Sequence, residues 1–151
     1  MTARLTVNGR PCDLPEQGTA TLLDLLRDQL MLTGAKRGCN YGVCGTCSVL
    51  IDGMLGRACL TLAADCAGRS VTTVEALDAD GSPDPIQRCL VEAGAVQCGF
   101  CTPAMVLAAR ALLDANPRPS RAEIVAAISG NICRCSGYGA IVEAIAAAAH
   151  G

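Results

Sequence analysis

Gly38-Cys39-Asn40-Tyr41-Gly42-Val43-Cys44-Gly45-Thr46-Cys47 sets three cysteines and three glycines in one decapeptide, and Cys59 follows after eleven further residues. C-x4-C-x2-C with a distant fourth cysteine is the spacing that holds a plant-type [2Fe-2S] cluster. Zinc suits it poorly, because structural zinc sites usually pair two short knuckles across a hairpin or helix. Gly38, Gly42 and Gly45 let the backbone wrap tightly and aim N–H groups at sulfurs that carry delocalised negative charge. The reading is therefore a metal loop at Cys39, Cys44, Cys47 and Cys59, set in a small domain.

The flanks of this loop read as strands and one helix. Upstream, Arg4 to Val7, Asn8-Gly9 and Arg10 to Leu14 form a hairpin on a dipeptide that type I′ turns favour. Thr21 is placed to cap a helix through about Leu30, with an apolar stripe of Leu22, Leu23, Leu25, Leu26 and Leu30. Downstream, Ser48 to Ile51, Asp52-Gly53 and Met54 to Arg57 form a second hairpin, and a strand at Ser70 to Val74 completes a small mixed sheet. Composition shifts at residues 78–85, where acidic residues, Gly and Pro replace the apolar pattern. That stretch is predicted to link residues 1–77 to a second domain at 86–151.

Beyond the linker the periodicity is helical. Ile86 to Ala93 is one helix. Thr102 is predicted as the N-cap and Pro103 as the first helical residue of a second, which runs on Met105, Val106, Ala109, Leu112 and Leu113 to Asn116-Pro117. Ser120 and Glu123 stand at capping-box spacing before a third, with Ile124, Val125 and Ile128 predicted inward. A fourth runs from about Ala140 to Ala149 on Ile141, Val142 and Ile145. This half is an α-helical bundle by pattern, so the fold class is α+β.

Four more cysteines fall at the loops of this half: Cys98 and Cys101, then 31 residues, then Cys133 and Cys135. Spacing alone leaves zinc open here. A helix N-terminus at Thr102-Pro103 favours thiolate charge and so a second cluster. Tyr41, Phe100 and Tyr138, the only aromatic residues, lie at the cysteine loops and are expected to shield them from water. Cys12, Cys66 and Cys89 match no motif and read as small buried hydrophobes. His150, the one histidine, reads as solvated.

Composition removes several function classes. With 151 residues, 12 Lys+Arg against 14 Asp+Glu and no basic run, nothing is built to hold a phosphate backbone. No stretch approaches the roughly 18 apolar residues of a membrane span. Met1-Thr2-Ala3-Arg4-Leu5 shows no leader pattern, so the chain is expected in the cytoplasm. There, eleven cysteines point to metal binding, and their odd number suits no all-disulfide scheme. Rossmann, P-loop and nucleophile–histidine signatures are missing, so no catalytic centre is expected in this chain.

The loop 38–47, together with Gln97-Cys98-Gly99-Phe100-Cys101-Thr102-Pro103 and Asn131-Ile132-Cys133-Arg134-Cys135-Ser136-Gly137-Tyr138, resembles the small iron–sulfur subunit of the molybdenum hydroxylases, the xanthine oxidase superfamily. The motifs occur together and in order, and the resemblance spans nearly the whole chain. It implies a plant-ferredoxin-like (β-grasp) N-terminal domain, a C-terminal four-helix bundle and a [2Fe-2S] cluster in each. It also implies that the eight cysteines are the ligands, that Gln97 hydrogen-bonds a pterin, and that Cys135 approaches the pterin amino group as well as ligating iron.

Partners follow from the same resemblance. A large subunit is expected to hold the molybdopterin (molybdenum) cofactor beside the C-terminal cluster, and a medium subunit to hold FAD facing the N-terminal one, in a dimer of heterotrimers. The chain is then a two-cluster electron wire from molybdenum to FAD, serving hydroxylation of a substrate with oxygen from water. An N-heteroaromatic ring is the preferred substrate class; aldehydes, carbon monoxide and aromatic thioesters stay open. The alternatives are a free-standing ferredoxin, disfavoured by the alanine-rich, apolar second half, and a metal-bearing regulatory module.

Overall fold

The computed structural model describes residues 3–16, 18–78 and 80–150; Met1-Thr2 of the opening segment and Ala79 of the predicted linker lie outside them. Strands β1 (Arg4–Val7) and β2 (Arg10–Asp13) pair antiparallel in the register Arg4↔Asp13 and Val7↔Arg10. Their turn has φ of 51° at Asn8 and 76° at Gly9, the type I′ geometry that the dipeptide predicts. Strands β3 (Ser48–Ile51) and β4 (Met54–Arg57) repeat the device on Asp52 and Gly53, with φ of 50° and 80°. Strand β5 (Ser70–Thr72) runs parallel to β1 and antiparallel to β3, which closes one mixed sheet in the order β2-β1-β5-β3-β4.

Strand β5 is shorter than predicted. The Asn8 side chain accepts from the Thr73 N–H and donates to the Thr73 hydroxyl, both at 2.8 Å, so this amide is lost to the ladder and Val74–Ala76 turn into a 3₁₀ helix. The predicted leucine helix also winds differently. Helix α1 (Leu22–Asp24) has Thr21 as its N-cap, in a reciprocal box with Asp24. It then passes into a π-helical turn over Leu25–Gln29. There the Leu25 carbonyl is claimed by Leu30 N–H and the Leu26 carbonyl by Leu32 N–H, five and six residues on, which widens the ladder. Leu22, Leu23, Leu25 and Leu26 are all buried against Leu5, Val7, Val49 and Val71 of the sheet; Leu30 is only packed against that core.

Helices α2 (Pro85–Glu92), α3 (Thr102–Ala115), α4 (Arg121–Ile128) and α5 (Gly139–His150) pack on one another: α2 on α5 and α3, α4 on α3 and α5. Pro85, assigned to the linker by composition, is the first residue of α2, capped by Asp84 in a box with Gln87. The second core is built on Ile86, Leu90, Met105, Ala109, Ile124, Ile128, Ile141 and Ile145. Ile124 and Ile128 face it as predicted, but Val125 does not and is 48% exposed, because its position points away from α3 and α5. Helix α3 lies on β3 and β4, so all four residues of β3 are buried, between the α1 core on one face and the helices on the other. The two halves meet there, and both cysteine loops open at that seam.

Candidate metal centres

The first loop is pinned at its ends before any metal is considered. Lys36 N–H donates to Thr46 O at 2.9 Å, and the Thr46 hydroxyl donates back to Lys36 O at 3.3 Å. Between these ends Asn40, Gly42 and Gly45 take φ of 58°, 74° and 72°, which turns successive N–H groups inward. Tyr41 N–H and Cys44 N–H both donate to Cys39 Sγ, at 3.3 and 3.4 Å. These two bonds, Cys44's first, bring the Cys39 thiol down to about 6. Cys47 is buried at the start of β3, and burial pushes its thiol up to about 11. Cys59 reaches it from the end of β4, where Ala58 N–H bonds the Cys47 carbonyl at 3.3 Å.

The second set is gathered from two helix boundaries. Cys101 is the N-cap of α3, so Thr102 is its first residue and Pro103 its second; the prediction placed both one position early. Cys133 and Cys135 lie in the turn between α4 and α5. Here Ser136 N–H and Oγ both reach Cys133 Sγ, at 3.4 and 3.1 Å. Burial works against the Cys133 thiolate, yet these bonds from Ser136 outweigh it and bring the thiol to about 7. The helix dipole does not win at Cys101, where burial, then neighbouring Cys133, push the thiol up to about 12.

Within each set the sulfurs stand two and two. Cys135 Sγ is 3.6 Å from Cys98 Sγ, and Cys101 adjoins Cys133. Cys39 adjoins Cys44, and Cys47 adjoins Cys59. Among the described residues no three Cys, His, Asp or Glu side chains converge as a single metal ion requires. Paired thiols with inward N–H donors fit a binuclear iron–sulfur centre, which takes two cysteines at each iron.

All eight predicted cysteines are thus brought into two groups, and the groups face each other. Ile132 N–H donates to Cys44 O at 2.8 Å, which links the second loop to the first directly. An apolar cavity of about 210 Å³ lies at this junction, lined by Gly38, Cys44, Cys98, Phe100, Cys101 and Cys133 among others. Cys98 and Cys135 lie on the exposed side of the second group, and Gln97 Nε2 donates to Cys135 O at 3.1 Å. Gln97 and Cys135, the predicted pterin contacts, therefore share one exposed edge.

The aromatic residues do not act as a uniform shield. Tyr41 is 81% exposed and Phe100 45%, while Tyr138 Oη accepts from Cys133 N–H at 3.0 Å and so braces the loop. Cys66 is buried as predicted, but Cys12 and Cys89 only pack partly against their cores; His150 is exposed at the end of α5. Sequence reading missed Ser136 and Arg57. Ser136 could have been found as a hydroxyl directly after C-x-C, whereas nothing around Arg57 marks it.

Two family models match the chain: a 2Fe-2S iron-sulfur cluster binding domain over residues 15–93 and a [2Fe-2S] binding domain over 73–146. The nicotine 6-hydroxylase small subunit of Paenarthrobacter nicotinovorans is 50% identical over 139 residues, 92% of this chain and 84% of that one. The nicotinate dehydrogenase small FeS subunit of Eubacterium barkeri is 46% identical, over 91% of this chain and 88% of that one. In three dimensions the chain superposes on one from quinoline 2-oxidoreductase of Pseudomonas putida 86 with a TM-score of 0.94 and 44% identity, covering 99% of this chain and 94% of the other.

Proposed function

This chain belongs to the small iron–sulfur subunits of the molybdenum hydroxylases, and from that premise we propose how its residues divide the work of electron transfer. Cys39, Cys44, Cys47 and Cys59 hold one [2Fe-2S] cluster, and Cys98, Cys101, Cys133 and Cys135 the other. The sulfur pairs supply the ligand sets: Cys39 with Cys44 and Cys47 with Cys59 at the first centre, Cys98 with Cys135 and Cys101 with Cys133 at the second. When bound, a [2Fe-2S] cluster takes up and gives on one electron at a time with little rearrangement of its ligands.

The single observation that carries the direction of the wire is the asymmetry of the second group. Its exposed Cys135 accepts from Gln97 at the outer edge, whereas Cys101 and Cys133, with Cys98 beside them, line the cavity shared with the first loop, which Ile132 joins to Cys44. Gln97 and Cys135 are the contacts for a molybdopterin on a large partner subunit. The exposed Tyr41, Val43 and Leu60 around the first loop meet a medium, FAD-bearing subunit, and the whole is a dimer of heterotrimers. The domains are 1–77, with a β-grasp form, and a four-helix 86–151, joined by 78–85. Eleven free thiols fit the reducing cytoplasm. The names of the relatives, which act on nicotine, nicotinate and quinoline, support an N-heteroaromatic substrate for the assembled enzyme.

The test is metal content and spectroscopy of the complex. About four iron and four sulfide per chain are expected, without stoichiometric zinc, and dithionite should give two distinct paramagnetic signals. One signal, or zinc in the second set, would defeat the two-cluster reading.

A further inference from the structure

Arg57 closes strand β4 two residues before Cys59, and its guanidinium forks across the seam between the cysteine loops. One arm donates to Ser48 Oγ, next to Cys47. The other donates to Gly130 O at 2.6 Å, three residues before Cys133 and just past the end of α4, where helix carbonyls carry partial negative charge. Around the fork the loops touch backbone to backbone. Gly45, at φ 72°, comes so near that a Cβ on it would stand 2.3 Å from Gly130 O. Asn131, 1% exposed, directs its Nδ2 to Gly45 O at 3.5 Å. Among the described residues Arg57 pairs with no carboxylate, unlike Arg4, Arg37, Arg69, Arg88, Arg110 and Arg121.

Resting on the two-cluster reading, we infer that Arg57 is a positioning residue for electron transfer: its fork sets the approach of the two cysteine loops and holds an unpaired positive charge between them. The guanidinium suits both tasks. Its donors are fixed in one plane, so a single side chain spans Ser48 and Gly130, which a lysine ammonium on its flexible stem does not do. Each centre gains one negative charge when it takes an electron from the substrate side and loses it when the electron leaves toward flavin. A fixed cation in this half-buried seam favours the reduced form and so raises the potential, the more so because no carboxylate cancels it. The geometry places the charge nearer to the first loop, since Arg57, Ser48 and Gly45 all belong to the half that carries it.

The complex, purified with its partner subunits, is titrated redox-wise with paramagnetic detection in wild type, Arg57→Met and Arg57→Lys. Arg57→Met should keep full iron, since Arg57 ligates none, yet lower the potential of the N-terminal centre and weaken the magnetic splitting between the two reduced centres. Arg57→Lys should restore the potential but not the splitting. An iron-loaded Arg57→Met with both potentials and the splitting of wild type would overturn the inference. Should Arg57→Met not assemble, Arg57→Lys decides alone: wild-type splitting there counts against the fork, and weakened splitting at wild-type potential supports it. A wild-type complex with fewer than two paramagnetic centres instead overturns the two-cluster reading on which this rests.

Discussion

Substitutions of single side chains at the exposed edge of the second group test the proposed division between iron binding and electron delivery. Gln97 donates to Cys135 O and, among the described residues, makes no hydrogen bond to a sulfur, so Gln97→Ala should leave both clusters assembled and slow reduction of the C-terminal centre by substrate. One neutral hydrogen bond is worth about 0.5–1.5 kcal/mol, so the loss is a factor of about 2 to 13. Cys135→Ser should be far more damaging, because it sets a hard oxygen in place of a soft thiolate beside Cys98. Cys47→Ser, at the other end of the wire, should stop transfer to flavin while substrate still reduces the molybdenum centre in one turnover. Rapid-mixing spectra of the complex check all three. The order of the wire would be reversed if Cys47→Ser blocked reduction of the C-terminal centre and Cys135→Ser did not.

At the scale of elements, α1 rests on a cap that spacing only half revealed. Thr21 was legible as an N-cap, but its reciprocal partner is Asp24, where the usual box has Glu or Gln. Thr21→Ala should cost about 1 kcal/mol and lower the midpoint of thermal unfolding by about 2–4 °C, read by circular dichroism. Asp24 is held below the ordinary carboxylate range by the Thr21 hydroxyl first, with Arg37 adding to it. A depressed folded value means that this stabilisation is complete above the unfolded value, near pH 4, and is lost as the pH falls through the lower folded value. The deficit of Thr21→Ala relative to wild type should therefore shrink in acid below about pH 4. An undiminished deficit there would assign the effect to helix capping without the carboxylate.

For the whole molecule, the surface predicts dependence on partners. Tyr41, Val43 and Leu60 stand out around the first loop, and Val91 and Val96 before the second, with only 17% charged residues in the chain. Exposed apolar side chains gathered beside the cysteine loops suit contact with larger partner subunits. Expressed alone, the chain should associate or lose iron; coexpressed with large and medium subunits it should remain loaded. Size-exclusion chromatography with iron analysis compares the two, and a loaded, stable monomer would favour the free-standing ferredoxin instead. No described helix is long and apolar enough to cross a membrane.

What the sequence determined by itself is local. Asn8-Gly9 and Asp52-Gly53 fix their hairpins because each needs two positive φ angles in succession, and the cysteine spacing fixes which sulfurs belong to one loop. Contacts distant along the chain decided the rest. Asn8 ends β5 by taking the amide of Thr73, 65 residues away, and no periodicity records such a bond. The inward side of α4 was misread at Val125, because an apolar residue in an alanine-rich helix carries no sign of which neighbours will cover it. The pairing of Cys98 with Cys135 arose only when α4 packed on α3 and α5, and the meeting of Ile132 with Cys44 and the reach of Arg57 to Gly130 only when α3 settled on β3 and β4. Cysteine spacing is written within a segment, whereas the gathering of distant segments around one centre, and the path between two, are distances that only the packed core sets.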